Sequence, residues 1–160
     1  MGFFDKAKHF MGGHGVKVQH TVIERQDPLQ VTLPIGDTVV KGKFNVTADK
    51  ACEVLSMKAA FLAEFVHPDG RVEEVTLGAD VFPEPNTSRS DDMLKYPYSL
   101  SGGATQEDFF IIHMEKDIPT LLSDKSWPKE KVRFFVKTMV DVKGSPFDPD
   151  TKNEITVSAV

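Results

Sequence analysis

The stretch from Ala51 to Gly78, ACEVLSMKAAFLAEFVHPDGRVEEVTLG, decides how the chain folds. Its first part, Ala51 to Val66, is rich in Ala, Leu, Met, Glu and Lys, which favour helix. On a helix, Ala51, Leu55, Phe61, Leu62 and Phe65 share much of one face, and Lys58 interrupts it. The strand template fits one face better. Leu55, Met57, Ala59, Phe61, Ala63 and Phe65 are apolar at every odd position. His67-Pro68-Asp69-Gly70 then supplies a type I-like turn with Gly late in it. Arg71 to Gly78 follows as a return strand. A long hairpin accounts for both the periodicity and the turn, and it is expected here over a helix.

Outward from this hairpin, other segments alternate in the same way. In Val132 to Val142, the even positions Val132, Phe134, Val136, Thr138, Val140 and Val142 face Arg133, Lys137 and Asp141 on the odd ones. Val16, Val18, His20 and Val22 alternate with Lys17, Gln19 and Thr21. Val40, Gly42, Phe44 and Val46 alternate with Val39, Lys41, Lys43 and Asn45. Phe109 to Met114 is a short continuous apolar run with one His. The 10 Pro and 11 Gly punctuate most of the chain and leave little room for long helices. Several short strands between turn signals predict an all-β sandwich or barrel. Residues 83–95 read as an exposed loop. No internal repeat or interdomain linker is visible, so residues 14–160 are expected to form one β-sandwich domain.

The N-terminus departs from this pattern. Phe3, Ala7, Phe10 and Met11 fall on one helical face, and Gly12-Gly13 stops the run. A short helical segment over residues 1–13 is expected. It needs a surface to bury on, either its own domain, a partner or a membrane.

With 160 residues the chain is long enough to bury roughly 70% of its unfolded surface without a disulfide or metal. Its net charge of −5 argues against general nucleic-acid binding, which draws on a basic face. Cys52 is the only cysteine, so no intrachain disulfide, CxxC motif or Cys-rich zinc site exists. There is no signal-peptide h-region and no run of about 18 apolar residues. A cytoplasmic address is expected, with membrane association as the alternative. Among the aromatic residues, Phe 12 against Tyr 2 and Trp 1 indicates an apolar core, since Phe has no polar group to satisfy.

His9, His14, His20, His67 and His113 form no HxH, HExxH or HxxxH pattern. Cys52 reads as a small buried hydrophobe near a strand start. The chain has no GxSxG, GxxxxGK[ST] or GxGxxG. Phe147 to Glu154 (FDPDTKNE) resembles a calcium loop superficially, but Pro149 intrudes, the central Gly is missing and Lys152 would repel a cation. Asx-turn and hairpin chemistry accounts for it better. The expectation is a protein that is not an enzyme, with no catalytic residue, cofactor or metal.

Several landmarks in order resemble one family. They are Gly2-Phe3-Phe4-Asp5-Lys6, then Gly15-Val16-Lys17-Val18 after Gly12-Gly13, and Val39-Val40-Lys41-Gly42-Lys43-Phe44. Tyr96-Pro97-Tyr98-Ser99-Leu100 and Asp117-Ile118-Pro119-Thr120 follow. Val140-Asp141-Val142, Asp148-Pro149-Asp150 and Glu154-Ile155-Thr156-Val157 close the series. In this order they resemble the arrestin-like fold, and within it the N-terminal domain of the bacterial sporulation-control family (stage-zero sporulation, M-type). That resemblance implies an arrestin-like antiparallel β-sandwich serving as a non-catalytic adaptor, scaffold or regulatory protein-binding module. Members of that family usually continue into a second sandwich or extension.

The contact residues expected from the sequence are Phe3, Phe4, Phe10 and Met11 at the N-terminus, with Phe110 and Phe135, which break the alternation of their strands. A strand buried on both faces accounts equally well for the last two. A protein partner is expected, with a membrane surface as the alternative and no nucleic acid. An unrecognised hydrolase is the third reading.

Overall fold

The computed structural model describes residues 15–23, 32–34, 39–83, 94–115 and 132–158. Every regular element among them is a strand. In chain order these are β1 (Val16–Ile23), β2 (Thr32–Pro34), β3 (Val39–Ala48), β4 (Cys52–Val66) and β5 (Val72–Phe82). There follow β6 (Tyr98–Leu100), β7 (Thr105–His113), β8 (Val132–Val142) and β9 (Asp150–Ser158). The helical segment expected over residues 1–13 lies outside the described residues, as does most of the loop expected at 83–95.

Two sheets form. One has the order β1-β3-β7 and is antiparallel throughout. The other has the order β2-β9-β8-β4-β5, with β6 paired to the start of β4. It is antiparallel except where the short β2 runs parallel to β9.

The decisive stretch is a strand of 15 residues at the middle of the larger sheet. Partners on both edges, β8 on one side and β5 and β6 on the other, take up its backbone groups. That pairing and the buried ring stack of Phe61 on Phe134 (centroids 5.9 Å apart) override a helix-favouring composition. The alternation holds with one irregularity. Val54 pairs with Val142 and Ser56 with Asp141, so Leu55 is an extra residue. Below it Val54 points inward, and above it Met57, Ala59, Phe61 and Ala63 do. The hairpin turn forms where the sequence placed it. Gly70 donates to the His67 carbonyl at 2.9 Å and His67 to the Arg71 carbonyl at 2.8 Å. Gly70 has φ 88°, a conformation that favours glycine.

Inward residues of both sheets fill one shared core. Val16, Phe44, Val46, Phe110 and Ile112 come from the smaller sheet. Val54, Met57, Phe61, Leu77, Phe134, Val136, Val140 and Ile155 come from the larger. The sheets are stitched together where β5 meets β7. Gly78 bridges to Met114, and Glu115 donates its N–H to the Leu77 carbonyl at 2.7 Å. A Cβ at Gly78 would lie 2.4 Å from the His113 carbonyl oxygen, so only glycine permits this approach.

Candidate functional site

Chemistry-bearing side chains gather beside that stitch, where β5 and β7 part. Asp80 on β5 and Asp108 on β7 are both buried. Asp80 Oδ2 accepts the Ile111 N–H at 2.9 Å, and Asp108 Oδ1 accepts the Phe109 N–H at 2.8 Å. The Tyr96 hydroxyl donates to Asp108 Oδ2 in a short bond. The Tyr96 ring sits edge-on between Phe82 (5.5 Å) and Tyr98 (5.1 Å). The Tyr98 hydroxyl is buried and finds no hydrogen-bond partner among the described residues. Burial first, then the Asp108 charge, then Cys52, push its ionisation well above the ordinary tyrosine range. Burial also raises the Cys52 thiol. These two groups therefore stay neutral at physiological pH, and Cys52 is a poor nucleophile. What the two carboxylates do here is cap two N–H groups of β7 that would otherwise be offered to a passing strand.

The outer face of the larger sheet carries Phe135. It points away from the core but is only 8% exposed, beside Ala60 and Leu62. Lys152 Nζ lies 4.4 Å from its ring centroid and the Arg133 guanidinium 5.2 Å. Both cations are themselves paired. Arg133 grips Glu154 through Nε at 2.9 Å and a terminal nitrogen at 2.7 Å. Lys152 donates to Glu64 at 2.9 Å and Glu74 at 3.2 Å. The hydrogen bonds it donates to Glu64 and Glu74 outweigh burial and hold the Lys152 ammonium above its ordinary range. That from Arg133 holds the Glu154 carboxyl below its own.

The outer face of the smaller sheet differs. Register puts Lys43 opposite Phe109, Lys41 opposite Ile111 and Val39 opposite His113. Phe109 is 48% exposed. Lys17 on β1 opens onto the same face, opposite Thr47. Lys43 pairs with Glu107 at 3.4 Å, while Lys17 and Lys41 have no ion pair among the described residues.

The expected contact residues are thus redistributed. Phe110 is corrected from an outward contact to a core residue, packed 6.4 Å from Phe44. Asp108, Phe110 and Ile112 share the inward parity of β7, and the polar Asp108 disguises that parity in the sequence. Phe135 does face outward, but its flanking cations cover it. Phe109, which its place in the apolar run 109–114 assigned to the core, is left open, as is Phe147 in the β8–β9 turn at 46% exposure; the opposition of Phe109 to Lys43 needs a strand pairing that no local pattern supplies. Phe3, Phe4, Phe10 and Met11 lie outside the described residues.

Comparison with known proteins leaves the chain without a family. No family model matches it, and no curated protein matches it. A solved structure with some likeness is the Pseudomonas fluorescens alkylpurine DNA glycosylase AlkC bound to DNA containing an abasic site analog. It is 16% identical over 90% of this chain and 31% of that chain, with a TM-score of 0.38. The chain therefore spans less than a third of that protein's length, and a likeness of this extent carries no argument about function. The resemblance to the arrestin-like fold and the sporulation-control family is corrected: no family model and no curated protein supports it. The resemblance rested on the order of short strands marked by Gly and Pro, which antiparallel β proteins share generally. The exclusion of nucleic acid is corrected too, because net charge alone does not carry it. Net charge is a whole-chain sum, and Lys17, Lys41 and Lys43 still place a basic surface on an acidic chain. Among the described residues no helix is long and apolar enough to cross a membrane.

Proposed function

We propose that this protein is a non-enzymatic binding module built on an antiparallel β-sandwich. Its contact surface is the outer face of the β1-β3-β7 sheet. One observation supports the reading above the others: a large aromatic ring, Phe109, stands open beside Lys43 and Lys41. Elsewhere on the molecule, paired cations fold over a comparable ring and hide it. An exposed ring flanked by cations is characteristic of contact surfaces.

The test places a photoactivatable phenylalanine analogue at position 109 of the full chain in the native host. The control carries it at Val72, which is 57% exposed on β5. A discrete adduct from 109 and none from 72 is the expected result. Equal labelling at both positions, or none at 109, breaks the reading. Mass spectrometry of the adduct reports protein, lipid or nucleic acid without assuming which.

A further inference from the structure

We infer that the face around Phe109 docks onto an anionic lipid surface; this rests on the binding-module reading above. Charge is the first ground. Lys17, Lys41 and Lys43 project from this face; among the described residues Glu107 pairs with Lys43, and the Asp49 carboxylate lies at the end of the face against Gly15. The chain as a whole carries −5, so its global charge repels an anionic surface while this face attracts one. Orientation follows from that asymmetry: an anionic plane turns the smaller sheet toward itself.

The second ground is how charge and apolar surface are interleaved. Lys43 lies across the strand pair from Phe109, and Lys41 from Ile111. Each lysine stem therefore runs beside an apolar neighbour on one continuous sheet face. At a lipid headgroup boundary this arrangement is satisfied all at once. The ring and the aliphatic stems enter the acyl edge, and the ammonium groups remain among phosphates. A single-stranded nucleic acid is matched less well, because successive bases call for successive rings and this face offers one. An acidic peptide would meet the lysines but leave Phe109 needing an apolar pocket in its partner.

The experiment is co-sedimentation of the full chain with vesicles of phosphatidylcholine alone or of phosphatidylcholine with phosphatidylserine. Binding is expected only with phosphatidylserine and is expected to fall as salt rises. Lys41→Ala is expected to weaken it roughly fivefold, and Phe109→Ser to weaken it further. Lys137→Ala, on the opposite face, leaves it unchanged. Urea midpoints of all variants are measured alongside, so that misfolding is seen as such. Equal binding to both vesicle types overturns the inference, as does binding that survives Lys41→Ala and Phe109→Ser. Binding lost instead in Phe3→Ser/Phe4→Ser assigns the contact to the N-terminus and likewise overturns it. A fluorescent single-stranded oligonucleotide or an oligoglutamate peptide is run in parallel. If either binds with this face dependence while vesicles do not, the lipid inference fails and the binding module stands. A failure of position 109 to crosslink at all removes both.

Discussion

Phe109 and Phe135 each stand on the outer face of a sheet with cations beside them, and they end in opposite states. Phe135 is 8% exposed beneath Lys152 and Arg133, and Phe109 is 48% exposed beside Lys43. The difference lies in the carboxylates. On the larger sheet, Glu64, Glu74 and Glu154 anchor the two cations across the strands, so their stems lie over the ring. On the smaller sheet, among the described residues, Glu107 draws Lys43 and leaves Lys17 and Lys41 without an ion pair. A closed charge network makes an outer face inert, and an excess of one sign leaves it open to a partner.

The sharpest way to break that comparison is to change neighbours on β7 that point to opposite faces. Phe110→Ala empties a fully buried site and is expected to cost about 3–5 kcal/mol by urea unfolding. Phe109→Ala is expected to change stability by less than about 0.5 kcal/mol. Comparable losses at both positions would show that β7 is set with the wrong parity.

Asp108→Ala comes next. It leaves the Phe109 N–H and the Tyr96 hydroxyl without the acceptor they share, at an expected cost of about 2–3 kcal/mol. It also uncaps the edge of β7, so concentration-dependent association should appear in sedimentation velocity. A variant as stable and as monomeric as the parent would remove the capping role.

Lys152→Ala tests the covered ring. Losing its two carboxylate partners and its contact with Phe135 is expected to cost about 1 kcal/mol. The Lys152 ammonium is held above its ordinary value of 10.5 in the folded chain, so its contribution is present below that pH. It is lost as pH rises through the folded value. The deficit of the variant should therefore shrink in strongly alkaline buffer, and a deficit constant with pH would assign it to packing alone.

The smallest effect belongs to Asp148 on the β8–β9 turn. Burial, then the nearby Asp141 and Asp150 carboxylates, raise its carboxyl above the ordinary 3.8. The folded chain thus holds that proton more tightly, and stability falls as pH rises through the window above 3.8. Asp148→Asn is expected to stabilise by less than about 0.5 kcal/mol at neutral pH, with the gain vanishing in acid. A loss at neutral pH would mean that the carboxylate is a net acceptor in the turn.

Much of the fold was legible because it is written in a period of two. The long hairpin, its turn and the strand from Val132 to Val142 follow from alternation and from the residues of one turn. The odd inward parity of β4 from Met57 to Phe65 was legible too; what escaped is the extra residue at Leu55, before which Val54 is the inward one. A register shift after Gln19 in β1, where Val22 pairs with Lys43, escaped as well. In β7 a buried Asp108 occupies a position that a hydrophobic pattern assigns to solvent, which reverses the reading of Phe109 and Phe110. The candidate face was hidden for a related reason. Its lysines read as ordinary polar partners of two separate strands, and only cross-strand register makes them one surface.

The bare position at Gly78 has a consequence at a distance. It lets the His113 backbone come within reach of β5, and this contact adds to the β3 pairing that holds β7 in register. Sliding β7 by one residue would exchange Phe109 and Phe110, burying the exposed ring and turning its neighbour outward. The address of the open aromatic is thus written partly in another strand, by a hydrogen atom where every other amino acid carries carbon. Adding a methyl group there, as in Gly78→Ala, would edit the outer surface from inside the molecule.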